Sequence, residues 1–132
     1  LEYAADFARA ADARLTIPYA VPVMADLQAT PTPEAAALPD PDAVHSRASE
    51  QLDAFLADAP LEDLDWEGRL EMGSPAEVIQ GAVDERDADL VVMGTHGRRG
   101  LERLFLGSTA TKVLRRMPCS VMTVRSREDA DD

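Results

Sequence analysis

Cysteine and lysine are nearly missing from this chain of 132 residues, because each occurs once, as Cys119 and Lys112. A single cysteine excludes an internal disulfide and a metal centre built from several cysteines. No apolar run approaches the roughly 20 residues that a membrane-spanning helix needs. The opening "LEYAADFARAADARL" also lacks the basic head of a secretory signal. The sequence therefore predicts a cytoplasmic protein.

Basic residues are scarce in general, since 25 aspartates and glutamates stand against 13 lysines and arginines and the net charge is −12. Such a charge makes the compact state repel itself, and salt relieves the repulsion by shortening the Debye length to about 3 Å at 1 M. Because lysine is almost absent among the bases, the pattern favours a salt-adapted, halophilic protein over an ordinary acidic one. Non-specific nucleic-acid binding is not expected, because it needs a basic face.

Apolar periodicity predicts that helices and strands alternate along one domain of residues 1–132. The expected helices are 1–15, 44–59, 74–88 and 108–117, and the expected strands are 14–21, 65–73, 89–93 and 120–125. This alternation is typical of an α/β fold, in which helices cover a parallel sheet. Four prolines predict a mobile surface loop over residues 24–43, and residues 126–132 form an acidic tail.

Three local sequence patterns predict specific structural features. Ser74, Pro75 and Glu77 have the spacing of a capping box at a helix start. Pro18 lies inside an expected strand, so its missing N–H has to face an unpaired side or a bulge. In the second helix, Val44, Ala48, Leu52, Phe55 and Leu56 are predicted to share one face.

The stretch "GTHGRRGLERLFLGSTATK", Gly94 to Lys112, follows an apolar strand. It is not a P-loop, since no lysine precedes the hydroxyl of Ser108, and its first glycines are three apart, which excludes the dinucleotide fingerprint. What remains is the spacing Gly-x2-Gly-x9-Gly-Ser. Gly94 would end a strand where open α/β sheets bind ligands, and Gly107 and Ser108 would begin a helix with unpaired N–H groups. The stretch therefore predicts an anion site, with Ser108 as the helix N-cap.

This pattern resembles the nucleotide-binding signature of the universal stress protein family. The segments "GSPAEVIQGAVDERDADLVVMG" and "ADLVVMGTHGRRGLERLFLGSTATKVLRRMPCSVMTV" carry the resemblance. It implies a flavodoxin-like sheet of the adenine nucleotide alpha hydrolase type, with strand order 3-2-1-4-5. The chain starts after the family's first strand, so that strand and its nucleotide-contacting aspartate are expected to be missing.

The resemblance further implies a regulatory stress-response module that binds ATP or another adenine nucleotide, with any Mg²⁺ carried on the nucleotide. The residues it assigns to nucleotide binding are Val21, Gly94, Thr95, Gly97, Arg98, Gly107, Ser108 and Thr109. It also implies a homodimer that pairs through the last strand, residues 120–125.

Catalysis is not expected beyond slow ATP hydrolysis, because no Asp/Glu pair or Ser-His-Asp arrangement has a suitable spacing. His45, His96 and Cys119 are interpreted as structural or solvated residues. Two alternatives stay open: a dimeric partner-binding scaffold without nucleotide, and an enzyme that adenylates a substrate.

The acidic composition predicts that salt stabilises the fold. Unfolding midpoints measured in about 0.1 M and about 3 M KCl should differ, with the higher midpoint at high salt, because screening removes the repulsion among the acidic residues. Equal midpoints would contradict the halophilic interpretation.

Overall fold

The structure, a computed structural model, describes residues 1–21, 40–95 and 107–125. Helices and strands alternate along these residues as the sequence predicts. The elements are α1 (Glu2–Ala11), β1 (Leu15–Val21), α2 (Pro41–Ala57), β2 (Trp66–Met72), α3 (Pro75–Arg86), β3 (Leu90–Gly94), α4 (Ser108–Arg116) and β4 (Ser120–Val124). The chain divides into two compact units, Leu1–Val78 and Ile79–Asp132. The single domain remains a prediction.

The first unit contains a parallel pair of strands, with Leu15 of β1 opposite Trp66 of β2 and Val21 opposite Met72. The Leu15 N–H donates to the Asp65 carbonyl at 2.9 Å, and the Val21 carbonyl accepts from Gly73 at 2.9 Å. Because alternate residues of a parallel strand bond to the same neighbour, the odd-numbered residues of β1 face β2. The nitrogen of Pro18 therefore faces away from β2. No hydrogen bond of this ladder needs the N–H that proline lacks, as the sequence predicts.

Helix α2 packs on the face of this sheet that carries Tyr19 and Gly68. The Tyr19 hydroxyl donates to Gln51 Oε1 at 2.8 Å, and a Cβ at Gly68 would lie 3.0 Å from Leu56 Cδ1. Ala48 and Leu52 are buried, whereas Phe55 is 53% exposed. The predicted face is only partly buried, because the contact follows the row of Ala48, Leu52 and Leu56 and leaves Phe55 at its edge.

The start of α2 corrects a predicted boundary. The carboxylate of Asp40 accepts the N–H of Asp42 at 3.1 Å, and the helix begins at Pro41. The predicted loop over residues 24–43 is therefore too long, since its last three residues are helical. The remainder of that loop up to residue 39 and the acidic tail, 126–132, lie outside the described residues.

A tight turn joins β2 to α3. Gly73 is buried and has a φ of +144°, and a Cβ there would lie 3.3 Å from Val78 Cγ2. Glu77 Oε2 accepts two hydrogen bonds from Ser74, one from the backbone N–H at 3.3 Å and one from the side-chain hydroxyl at 2.9 Å. The carboxylate of the predicted capping box therefore occupies the first turn of α3.

The second unit contains a second parallel pair, with Leu90 of β3 opposite Ser120 of β4 and Gly94 opposite Val124. Helix α4 contributes the buried side chains of Ala110 and Val113. Each pair joins two strands that are neighbours in the order 3-2-1-4-5, if β1 to β4 are strands 2 to 5. The full order and the missing first strand remain predictions.

In the first unit, two ion pairs join the loop before β2 to α1 and to the residue before β1. Arg9 Nε lies 2.9 Å from both carboxylate oxygens of Asp63, and Arg14 Nε lies 2.9 Å from Asp65 Oδ2. The hydrogen bond from Arg9 lowers the pKa of Asp63, and the hydrogen bond to Asp65 raises the pKa of Arg14.

Gly73→Ala should lower the free energy of unfolding by about 1–3 kcal/mol, because an L residue is strained at this φ and its methyl group meets Val78. Gly81→Ala is the matched control, since a Cβ at Gly81 meets nothing within 4 Å. That change should add about 0.5–1 kcal/mol through helix propensity. Urea unfolding measures both, and equal effects would contradict the strain at Gly73.

Asp63→Asn should reduce stability near neutral pH and lose its effect in acid. A carboxyl whose folded pKa is lowered stabilises the fold above its unfolded pKa of about 4, and the contribution disappears as the pH falls through the folded value. Urea unfolding of both proteins between neutral and acid pH tests this. A difference that stays constant with pH would show that Arg9 does not stabilise the charged form of Asp63.

Candidate functional site

The two ends of the glycine stretch meet at a pair of backbone hydrogen bonds. The N–H of Thr95, the residue after β3, donates to the Val124 carbonyl at 3.1 Å. The carbonyl of Thr95 accepts the N–H of Gly107 at 2.8 Å. The first bond continues the ladder between β3 and β4, and the second fixes the start of α4 to the end of β3.

Gly107 is the N-cap of α4, so the prediction that Ser108 caps this helix is wrong. Gly107 has a φ of −58° and a ψ of 159°, outside the helical region. Its carbonyl accepts the first helical hydrogen bond, from the N–H of Thr111 at 3.0 Å. Ser108 is therefore the first helical residue.

The supply of free donors also differs from the prediction. Gly107 was expected to have an unpaired N–H, and this is wrong, because that group is bonded to the Thr95 carbonyl. The N–H groups of Ser108, Thr109 and Ala110 precede the first bond of the helical ladder. Within the described residues no partner is found for these three groups. Ser108 is exposed and Thr109 is half-buried, so the helix start is open to solvent on this side.

The start of α4 is electrostatically unlike the starts of the other described helices. Glu2, Asp42 and Glu77 each place a carboxylate in the first turn of α1, α2 and α3. Helix α4 has no acidic residue in its first turn, although the chain carries 25 of them. The partial positive charge of a helix N-terminus is therefore left without a carboxylate at α4.

The other predicted residues are distributed as follows. Gly94 is the exposed last residue of β3, and Thr95 is 8% exposed. Val21 is 2% exposed at the end of β1 and belongs to the other unit, so its place beside an adenine ring remains a prediction. Gly97, Arg98 and His96 lie outside the described residues.

Sequence reasoning missed one residue of this site. The hydroxyl of Thr111 donates to the Gly107 carbonyl at 3.1 Å, beside the backbone bond from the same residue. This second hydrogen bond further restricts the orientation of the N-cap carbonyl. A threonine four residues after a helix N-cap is the available signal, because Ser and Thr hydroxyls commonly bond the carbonyl four residues earlier.

The chemistry of this site is suited to binding an anion through backbone donors. In the ranges 1–21, 40–95 and 107–125, no group of three or more His, Cys, Asp or Glu side chains is arranged to hold a metal ion. No helix within the same ranges is long and apolar enough to cross a membrane.

Known proteins with similar sequences point to one family. The sequence model of the universal stress protein family matches residues 1–125. A protein of Staphylococcus aureus (strain USA300), which bears the universal stress protein name, is 42% identical over 65 residues. That match covers 48% of this chain and 39% of the relative, so the chain matches well under half the length of such relatives.

Solved structures agree with this match. The universal stress protein UspA from Lactobacillus plantarum has a TM-score of 0.65 and 27% identity, over 93% of this chain and 85% of its own. A family member from Burkholderia pseudomallei has a TM-score of 0.63 and 28% identity, over 94% and 83%. A universal stress protein in complex with cAMP has a TM-score of 0.54 and 28% identity, over 94% and 82%.

These likenesses confirm the flavodoxin-like α/β class that the sequence predicts. With the family match over residues 1–125, they lead to one conclusion: the chain belongs to the universal stress protein family.

Proposed function

We propose that this protein binds ATP or another adenine nucleotide, with the phosphates at the start of α4, and acts as a nucleotide-dependent regulator of a cytoplasmic stress response. The observation that carries the proposal is the set of three N–H groups, from Ser108 to Ala110, at a helix start without a carboxylate. A helix start with free N–H donors and no carboxylate favours the binding of phosphate.

The strength of the interaction follows from two terms. The helix dipole contributes about 0.3–1 kcal/mol for each nearby anionic charge, and a hydrogen bond to a charged group contributes about 1.5–3 kcal/mol. The hydroxyl of Ser108 can add a further donor, since this residue is exposed at the helix start. The bond between Gly107 and Thr95 holds these donors beside the end of β3, so little ordering is needed when the ligand binds.

The choice of ligand class rests on a second support. The family member solved with cAMP covers 94% of this chain, and cAMP is an adenine nucleotide. A chain of phosphates offers more acceptor oxygens to the helix start than cAMP does, which favours ATP. Any Mg²⁺ would arrive on the phosphates. Gly94, Thr95, Gly97, Arg98 and Thr109 would complete the phosphate and ribose contacts, and Val21 would border the adenine.

The proposed binding module also pairs with a second copy of itself through the outer edge of the last strand, β4. In the parallel ladder, Ser120, Met122 and Val124 bond towards β3, so the backbone groups of Val121 and Thr123 face the opposite edge. Met122 is 37% exposed. A dimer that pairs along this edge is part of the proposal, and the same edge would serve a scaffold that binds no nucleotide.

Calorimetric titration with ATP, ADP, AMP and cAMP tests the proposed site, together with analysis of nucleotide in the purified protein. Gly107→Val should abolish binding and Gly107→Ala should weaken it, because each adds bulk beside the three donors. The backbone of Gly107 is in a region that any residue adopts, so these changes should leave the fold intact. Ser108→Ala should weaken binding by roughly tenfold, the equivalent of one lost hydrogen bond.

Gly81→Ala is the matched control, since it adds a methyl group in open space within α3. Its nucleotide affinity should equal that of the wild type. Absence of any nucleotide binding by the wild type would contradict the proposal and favour the scaffold. Unchanged affinity in Gly107→Val would place the phosphates elsewhere.

A further inference from the structure

The first peptide unit of α4 joins Gly107 to Ser108, so the Gly107 carbonyl and the Ser108 N–H belong to the same rigid plane. Because a peptide unit is planar and trans, its C=O and N–H point in opposite directions. A bond that holds the carbonyl therefore also sets the direction of the N–H. The first of the three proposed phosphate donors is thus oriented through the carbonyl on its other side.

Thr111 supplies two hydrogen bonds to this carbonyl. Its N–H donates at 3.0 Å and its hydroxyl donates at 3.1 Å. The backbone bond belongs to the regular helical ladder, so every residue type except proline would make it at this position. The hydroxyl bond depends on the side chain, because it is serine and threonine that bond the carbonyl four residues earlier. The identity of residue 111 therefore matters for the second bond alone.

Packing holds the body of α4 but leaves this peptide unit to its hydrogen bonds. Ala110 and Val113 are buried and fix the helix from its third residue onwards. Gly107 has no side chain, and Ser108 is exposed. The Ser108 N–H precedes the helical ladder, and in the described part of the chain no partner is found for it. The bonds from Thr111 to the carbonyl are therefore the restraint on this unit.

We infer that Thr111 is a positioning residue of the proposed nucleotide site: its hydroxyl keeps the Ser108 N–H directed at the phosphate and makes the site select phosphorylated nucleotides over unphosphorylated nucleosides. Rotation of the peptide unit would turn the N–H away and bring the Gly107 carbonyl towards the ligand. A carbonyl oxygen repels a phosphate, so the rotated unit would lose a donor and gain an unfavourable acceptor. The inference rests on the proposed function, because it concerns the same site.

Residual dipolar couplings test the orientation in the protein without ligand, since each coupling reports the direction of an N–H bond. Thr111→Val replaces the hydroxyl with a methyl group and leaves the backbone bond to Gly107 in place. The coupling of Ser108 should depart from its wild-type value in this variant, because its N–H samples more directions. Thr111→Ser should keep the wild-type value. An unchanged Ser108 coupling in Thr111→Val would overturn the inference.

Calorimetric titration tests whether this orientation serves phosphate binding. Thr111→Val should bind ATP roughly three- to tenfold more weakly than the wild type, because a hydrogen bond to a charged group is weakened. Adenosine carries no phosphate, so its affinity should be equal in the two proteins. Thr111→Ser should bind ATP as the wild type does. A loss in Thr111→Val that Thr111→Ser shares would assign the effect to side-chain shape and overturn the role of the hydroxyl.

Thr16→Val is the matched control, because it also removes a threonine hydroxyl with one hydrogen bond, to Glu67 Oε1 at 3.2 Å in the first unit. It should change neither the Ser108 coupling nor the affinity for ATP. Circular dichroism checks that each variant keeps its helices.

The two measurements separate the failure of this inference from the failure of the proposed function. Absence of ATP binding by the wild type would contradict the proposed function, and the role of Thr111 towards phosphate with it. Equal ATP affinity of the wild type and Thr111→Val, with binding intact, would overturn the inference and leave the proposed function standing.

Discussion

The hydrogen bond from the Gly107 N–H to the Thr95 carbonyl, 2.8 Å long, determines the geometry of the candidate site. It joins the first residue after β3 to the N-cap of α4, so the ends of the glycine stretch are fixed whatever lies between them. The bond uses one donor of the helix start and leaves the next three pointing beyond the ladder. Thr111 reinforces it by bonding the Gly107 carbonyl twice, through its N–H and its hydroxyl.

The start of α4 differs from the starts of the other described helices in its charge. A strongly acidic chain has many carboxylates with which to neutralise helix N-termini, and α3 does so through Glu77, which bonds Ser74. Helix α4 receives none in its first turn and carries Arg115 and Arg116 in its last. The segment that differs in sign from the rest of the protein therefore contains the proposed phosphate site.

The sequence predicts the order of elements well, because apolar periodicity and the Ser74–Pro75–Glu77 spacing are local signals. It also predicts that the nitrogen of Pro18 faces away from the hydrogen-bonded ladder. It fails at Ser108 and leaves the exposure of Phe55 open, because both outcomes depend on tertiary contacts: Gly107 is the N-cap and bonds Thr95, and Leu56 against Gly68 sets which row of α2 is buried. The roles of Gly97 and Arg98 remain predictions because both residues lie outside the described ranges, and that of Val21 because it belongs to the other unit.

We propose that the N–H groups of Ser108, Thr109 and Ala110 bind the phosphates of an adenine nucleotide. Amide chemical shifts recorded during titration with ATP, and separately with adenosine, test it most directly. Large shifts are expected at these three amides with ATP and small ones with adenosine, because the phosphates make the contact. Equal shifts with both ligands, or shifts confined to other residues, would contradict it.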